Sequence, residues 1–442
     1  MAAADPLPLD PAVVARDLIA FIDAAPTPFH AVAEAGRRLD AGGFEALAAD
    51  GDWADPPDRG YVAVDGALVA WAVPAGCGPA TPFRLVGAHT DSPNLRIRPQ
   101  PDTGRAGWRQ LGVEVYGGAL LNSWLDRDLG LAGRVAVRGA HGPELRLVRV
   151  DRPVLRVPQL AIHLDRDVTE HGLLLNPQLH LSPVWGLGPP ETGAFSAFLA
   201  VELGVETIDV LAWDVMAHDL TSGTVAGSTG EFVSCARLDN LASCHAAVTA
   251  LAAPDAGSDV PGRSVAVVAL FDHEEVGSAS ASGADGTMLA RILERLILAR
   301  GGDRSDFLRA LAGSMGASAD MAHATHPNYA ERHEPEHPIR LNAGPVVKIN
   351  VNQRYATDAA TQAHFEEACR AAAVPVQRFA SRGDMRCGST IGPLTAARLG
   401  VPTVDVGLAQ LAMHSARELC GSADPAWYLQ ALTAWFRYGP SA

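Results

Sequence analysis

The chain has 442 residues, 48% hydrophobic and 19% charged, which excludes a disordered or coiled-coil protein and supports a large core in two or three domains. Fifty acidic against thirty-five basic residues leave a net charge of −15, which argues against a nucleic-acid binder. The longest mid-chain apolar run, Val265–Phe271, falls far short of the roughly 20 residues of a membrane span. Six cysteines without C-x-x-C spacing argue against a thiolate zinc site or a disulfide framework.

The N-terminus, Met1-Ala2-Ala3-Ala4-Asp5-Pro6, lacks a basic stretch followed by a long apolar one, so no leader is expected and the expected compartment is the cytoplasm. Asp10-Pro11 and Thr27-Pro28 each offer a cap followed by proline, and predict two helices, the second stopping near Gly42-Gly43. Residues 61–73 read as a hairpin turning at Asp65-Gly66, and residues 83–88 as a strand delivering His89 at its end. From 94 to 235 short strand-like runs recur (111–116, 134–138, 145–150, 208–213) with few convincing helices, the texture of an inserted β-rich domain. Helices at 237–253 and 288–300 then alternate with strands at 264–271, 346–351 and 403–406, which predicts a mainly parallel sheet covered on both faces. The domain reading is 1–93 and 236–442 as the two parts of one domain, with 94–235 inserted.

The strongest chemical signal is Asp272-His273-Glu274-Glu275, directly after an apolar strand, where loops of open α/β sheets build active sites. On its own it also reads as a solvated acidic loop. His89-Thr90-Asp91 and His414 stand at similar strand ends. Asp239 in Arg237-Leu238-Asp239-Asn240 reads equally as a helix cap, and Asp320 in Ser318-Ala319-Asp320 as an ordinary turn residue. Together these imidazoles and carboxylates suit zinc, cobalt or manganese. Two ions about 3.5–4 Å apart need a bridging carboxylate plus roughly two further ligands each, so five ligands suffice.

Gly87-Ala88-His89-Thr90-Asp91-Ser92-Pro93, Arg237-Leu238-Asp239-Asn240, Asp272-His273-Glu274-Glu275-Val276-Gly277-Ser278, Ser318-Ala319-Asp320-Met321-Ala322-His323-Ala324 and Leu411-Ala412-Met413-His414-Ser415 resemble, in order, the signature blocks of the aspartyl aminopeptidases. So do Gly344-Pro345-Val346-Val347-Lys348-Ile349-Asn350, Gln353-Arg354-Tyr355 and Cys387-Gly388-Ser389-Thr390-Ile391-Gly392. Leu408-Ala409 departs from the pattern, where a small residue or proline is expected. The resemblance implies an α/β, mainly parallel-sheet dizinc exopeptidase core with an inserted β-rich dimerisation domain. It implies His89 and Asp320 on one metal, Glu275 and His414 on the other, and Asp239 between them. Glu274 is then the general base towards the attacking water, and Asp91 orients His89. His323 and Tyr355 then contact substrate. The implied cofactors are two divalent ions per subunit, Zn2+ first, with Co2+ or Mn2+ as alternatives. The implied partners are peptide substrates and copies of the chain itself, dimers closing into a large shell, a dodecamer.

Lys348 lies in an apolar strand and needs a partner for its ammonium: an acidic substrate side chain, or a structural carboxylate. His163, between Ile162 and Leu164, reads from its neighbours as a core or interface residue; the resemblance carries it across the dimer to the neighbouring site, with direct metal ligation as the variant. His326, His333 and His337 read as a solvated loop. Two rival readings are a carboxypeptidase or N-deacylase on the same core and a non-catalytic assembly protein. The residues and the resemblance together favour an aminopeptidase with a preference for Asp or Glu at the N-terminus.

Overall fold

The computed structural model describes residues 9–253 and 264–437; the N-terminal segment on which the leader expectation rests lies outside them. The chain forms two compact units. The first runs to Asp91 and resumes over Gly223–Met413 and from Glu418; the second comprises Ser92–Ser222 and His414–Arg417.

The first unit begins with the two capped helices. Asp10 accepts the Ala12 N–H at 2.9 Å ahead of helix Pro11–Ala24, and Thr27 caps Pro28–Ala41 through the His30 N–H. Val14, Leu18, Phe21 and Ile22 are the buried stripe of the first helix, the i, i+4, i+7, i+8 spacing of one helix face. The hairpin Arg59–Val64 and Ala67–Ala72 turns at Asp65, which takes φ 53°.

A nine-stranded sheet organises the unit. Its centre is four parallel strands in the spatial order Val265–Phe271, Phe83–His89, Met315–Ala319 and Thr403–Gly407. Antiparallel neighbours flank them, Ala67–Ala72 on one side and Val346–Ile349 on the other. Two further parallel pairs stand at its edges, Glu45–Ala46 with Arg59–Val64 and Val346–Ile349 with Gln377–Ala380, so the sheet is mainly parallel with antiparallel neighbours between. Every residue of Val265–Phe271 is buried, as a strand covered on both faces must be, which is why its sequence is an apolar run without alternation. Ala266, Val268 and Leu270 join the core shared with helices Pro11–Ala24, Pro28–Ala41, Leu238–Ala252 and Asp424–Arg437. Val267, Ala269 and Phe271 face the opposite core, shared with Met288–Ala299, Arg304–Ala312 and Ile391–Leu399. Because three central strands are parallel neighbours, the residues at or just past their ends, His89, Asp272 and Asp320, emerge on one side.

Thr224–Ala226 and Phe232–Cys235 belong to the first unit, in a five-stranded sheet with Glu418–Gly421, Ala409–Leu411 and Ala322–His323. The second unit holds a six-stranded antiparallel sheet in the order Gly142–Leu155, Leu129–Gly139, Val210–Asp219, Asn94–Arg105, Trp108–Tyr116, Val184–Leu187. Sequence texture gives no sign of its helix Ala194–Leu203. That helix is started by a distant residue: Asp102 accepts the Gly193 and Phe195 N–H groups at 2.8 and 3.1 Å. No helix among the described residues is long and apolar enough to cross a membrane.

Candidate metal centre

His89 is the last residue of its strand and is 1% exposed. Its Nδ1 stands 3.0 Å from the Asp91 carbonyl. A carbonyl only accepts, so Nδ1 carries hydrogen and Nε2 is the nitrogen offered to the site. Around Nε2 stand three carboxylates: Asp239 Oδ1 at 3.3 Å, Asp320 Oδ1 at 3.6 Å and Glu274 Oε2 at 4.0 Å. His89, Asp239 and Asp320 present ligand atoms within 4.8 Å of one another, as do His89, Glu274 and Glu275. Burial disfavours the charged imidazole, but the hydrogen bonds it donates to Asp239, Asp320 and Asp91 outweigh this and hold its pKa well above the ordinary histidine value. Burial pushes Glu274 up to about 8, reinforced by Asp320, Glu275 and Asp239 and opposed by His89. A pocket that crowds acids until one keeps its proton is a pocket lacking positive charge, and this imidazole–carboxylate donor set fits zinc.

The geometry is set by parts the metal would not touch. Asp91, fully buried, accepts the backbone N–H groups of Glu274 and Glu275 at 3.1 Å each, while one of its oxygens lies 3.4 Å from His89 Nδ1. One carboxylate therefore aims both the imidazole and the two glutamates. The glutamates occupy the turn Glu274–Val276, flanked by His273 at φ 64° and Gly277 at φ 97°. Asp239 and Asn240 interrupt the helix with non-helical dihedrals, and the Asp239 N–H donates to Glu418 Oε2 at 3.0 Å. Asp320 is fixed by its N–H to the Val406 carbonyl at 2.8 Å, and a Cβ at residue 407 would lie 1.8 Å from the Asp320 carbonyl, so glycine is required there.

Lys348 is 2% exposed, and its ammonium donates to Asp320 Oδ2 and the Met321 carbonyl, both at 3.2 Å. The partner the sequence demanded is a candidate metal ligand. Tyr355 covers this ammonium, its ring centroid 5.1 Å from Nζ, and its hydroxyl is hydrogen-bonded to the Cys387 thiol. His323 and Tyr355 flank Phe379, with ring centroids 6.4 and 6.2 Å from it.

His414 opens the short 414–417 piece of the second unit, where its Nδ1 donates to the Gly118 carbonyl at 3.1 Å. As with His89, this assigns Nε2 as the nitrogen available to a metal. His163, also in the second unit, is exposed, and so are Leu160, Ile162 and Leu164. It is therefore not a core histidine of its own chain. His326 and His333 are tied to each other through a backbone N–H, and His337 to Glu334, as a polar loop. Asp384 pairs with Arg382.

Sequence reasoning passed over Glu418, which holds Asp239, and Asp405. Asp405 is fully buried and accepts from Thr390 Oγ1 and the Ala356 N–H at 2.5 and 2.6 Å. A carboxylate inside the run Thr403-Val404-Asp405-Val406 was the available signal. Lys348 carries a stronger signal, being the only lysine in the chain. Every other basic residue is arginine, so the one ammonium sits where a compact point charge is wanted.

The Aminopeptidase I zinc metalloprotease (M18) model matches residues 21–436. A Streptomyces coelicolor protein named "Probable M18 family aminopeptidase 2" is 53% identical over 423 residues, covering 95% of this chain and 97% of its own. A Mycobacterium tuberculosis protein of the same name is 53% identical over 428 residues, covering 96% and 98%. Among solved structures, the Ape4 chain of an Ape4–Nbr1 complex superposes with TM-score 0.92 at 35% identity, covering 97% of this chain and 86% of that one. The S. cerevisiae mApe1 dodecamer gives 0.82 at 28% identity and 97% coverage of both. The centre built around His89 and the Glu274-Glu275 turn is thus carried by a chain that belongs to the Aminopeptidase I zinc metalloprotease (M18) family, a zinc-dependent aminopeptidase.

Proposed function

We propose that this chain removes single residues from peptide N-termini using two divalent ions per subunit, with a preference for Asp and Glu. The observation that carries this reading is the ring of three carboxylates around His89 Nε2, with Asp91 aiming both His89 and the glutamate pair. His89 and Asp320 would hold one ion, Glu275 and His414 the other, and Asp239 both. Zinc bound there would polarise the scissile carbonyl and acidify the attacking water. Glu274, aimed by Asp91 through its own N–H, takes the proton of that water and returns it to the departing amine. The acidic wall receives the substrate's free ammonium, which limits cleavage to one residue.

Lys348 would supply the acidic preference. Once a divalent ion shares Asp320, the ammonium is no longer needed to balance that carboxylate and can meet a substrate carboxylate, with His323 and Tyr355 lining the approach. The exposed apolar residues beside His163 support an interface on that segment. A homo-oligomeric shell in which His163 reaches a neighbouring site accords with the dodecamer of the mApe1 relative. An imidazole there would donate to the developing oxyanion. The test is hydrolysis of Asp-, Glu-, Leu- and Ala-chromogenic substrates against their N-acetylated forms. Cleavage of the acetylated series would favour the deacylase reading instead.

A further inference from the structure

Past the C-terminal ends of the neighbouring parallel strands Val346–Ile349 and Gln377–Ala380, loops 350–354 and 381–387 enclose a pocket of about 530 Å³ in the first unit. Its polar lining is Asn350, Asn352, Arg354, Ser381, Arg382 and Arg386; no carboxylate lines it. Arg382 is tied to Asp384 and to the Glu331 carbonyl. Arg354 and Arg386 have no carboxylate partner among the described residues. Elsewhere in this acidic chain arginines are commonly answered by acids, as Arg38 is by Asp17 and Glu34, and Arg378 by Glu366. Guanidinium groups converging on one concavity with amide and hydroxyl donors form a site for carboxylates.

The pocket also adjoins the candidate centre. Cys387 in its lining is hydrogen-bonded to Tyr355, whose ring covers Lys348, which holds Asp320. An extended peptide advances about 3.3–3.6 Å per residue, so residues beyond the first are the ones able to reach a pocket outside the ligand set.

We infer that this arginine pocket binds the carboxylates of the substrate beyond the cleaved bond, making the enzyme prefer short peptides that are acidic downstream of the residue removed. The inference rests on the aminopeptidase reading of the neighbouring centre. It adds a second place where acidity is sensed, distinct from Lys348. The contacts are solvent-accessible ion pairs, individually weak and salt-screened, so two or three together would give about a tenfold preference at low salt.

The test compares zinc-loaded Glu274→Gln protein, which binds without turnover, with the same protein carrying Arg354→Gln and Arg386→Gln. Binding of C-terminally labelled pentapeptides with Asp, Ala or Lys at positions three to five is followed by fluorescence anisotropy. Expected is about tenfold tighter binding of the Asp peptide than the Ala peptide, falling to within twofold in the Gln variant and partly restored by Arg354→Lys with Arg386→Lys. Equal affinity for the three peptides, or discrimination that survives in the Gln variant, overturns the inference. So does inorganic phosphate that displaces Ala and Asp peptides alike, which would mark a free-anion site. Turnover of aminoacyl substrates by the wild type is measured separately. Its absence alongside intact discrimination would refute the aminopeptidase reading and leave the carboxylate pocket standing.

Discussion

Replacing Lys348 with methionine keeps the unbranched stem and deletes the charge. Its ammonium stands 3.2 Å from Asp320 Oδ2, with the lysine 2% exposed and the aspartate side chain 11% exposed. At an effective dielectric near 20 that pair is worth about 5 kcal/mol of Coulomb energy before desolvation. Removing one member of a buried pair costs about 3–5 kcal/mol, because the other is left uncompensated. In the metal-free protein the charged His89 imidazole beside Asp320 is shared with Asp239 and Glu274, so it replaces only part of the loss. With zinc on Asp320 the carboxylate has a new counter-charge, and the remaining cost is about 1 kcal/mol for the hydrogen bond to the Met321 carbonyl. The difference, about 2–4 kcal/mol, must reappear as metal affinity, since zinc here binds the folded chain. Lys348→Met should therefore bind zinc about 30- to 700-fold more tightly than the wild type. Competition with a calibrated chelator measures this without assuming two-state unfolding. The same variant should bring the Asp-to-Ala kcat/KM ratio close to one. Unchanged or weaker zinc affinity would refute the claim that ammonium and metal compete for Asp320.

Glu274→Gln should retain its zinc while kcat falls roughly 10²–10⁴-fold, and loss of metal on analysis would make Glu274 a ligand instead. Asp239→Ala should fail to retain zinc through gel filtration; two ions retained would remove Asp239 from the site. Both Glu274, at about 8, and His89 have pKa values raised in the metal-free fold. That fold therefore binds more protons than the unfolded chain, and its stability should fall as pH rises from about 5 to 8; a melting temperature that climbs over this window in the presence of chelator would contradict the geometry. Mixing inactive His163→Ala with inactive Glu274→Gln after dissociation should restore part of the activity through hybrid interfaces. Confirmed hybrids that stay inactive would confine His163 to its own subunit or to no role.

The central strands were legible because a strand buried on both faces must be apolar throughout, as 265–271 is, and because proline and glycine punctuate helix ends at 11, 28 and 42–43. His89 and the Glu274-Glu275 pair were legible as strand-end residues, but their convergence with Asp239 and Asp320 depends on sheet order, which periodicity does not carry. Asp239 shows the limit: its sequence context is a helix start, yet its dihedrals and the Glu418 contact turn it to the site. Helix Ala194–Leu203 escaped for a related reason, being capped by Asp102 about ninety residues earlier. Long-range caps and supports such as Asp102, Glu418 and Asp405 leave no local spacing to read. The antiparallel placement of Val346–Ile349 was equally invisible, although it is what brings Lys348 beside Asp405 in the sheet.

Zinc reconstitution of the stripped protein tests the central claim most directly, with hydrolysis of an aspartyl chromogenic substrate and its N-acetylated form followed against bound metal. The account predicts no activity without metal, a rise that reaches its plateau at two equivalents per subunit, and no cleavage of the acetylated substrate at any loading. Full activity at one equivalent, or activity in the stripped protein, would contradict it.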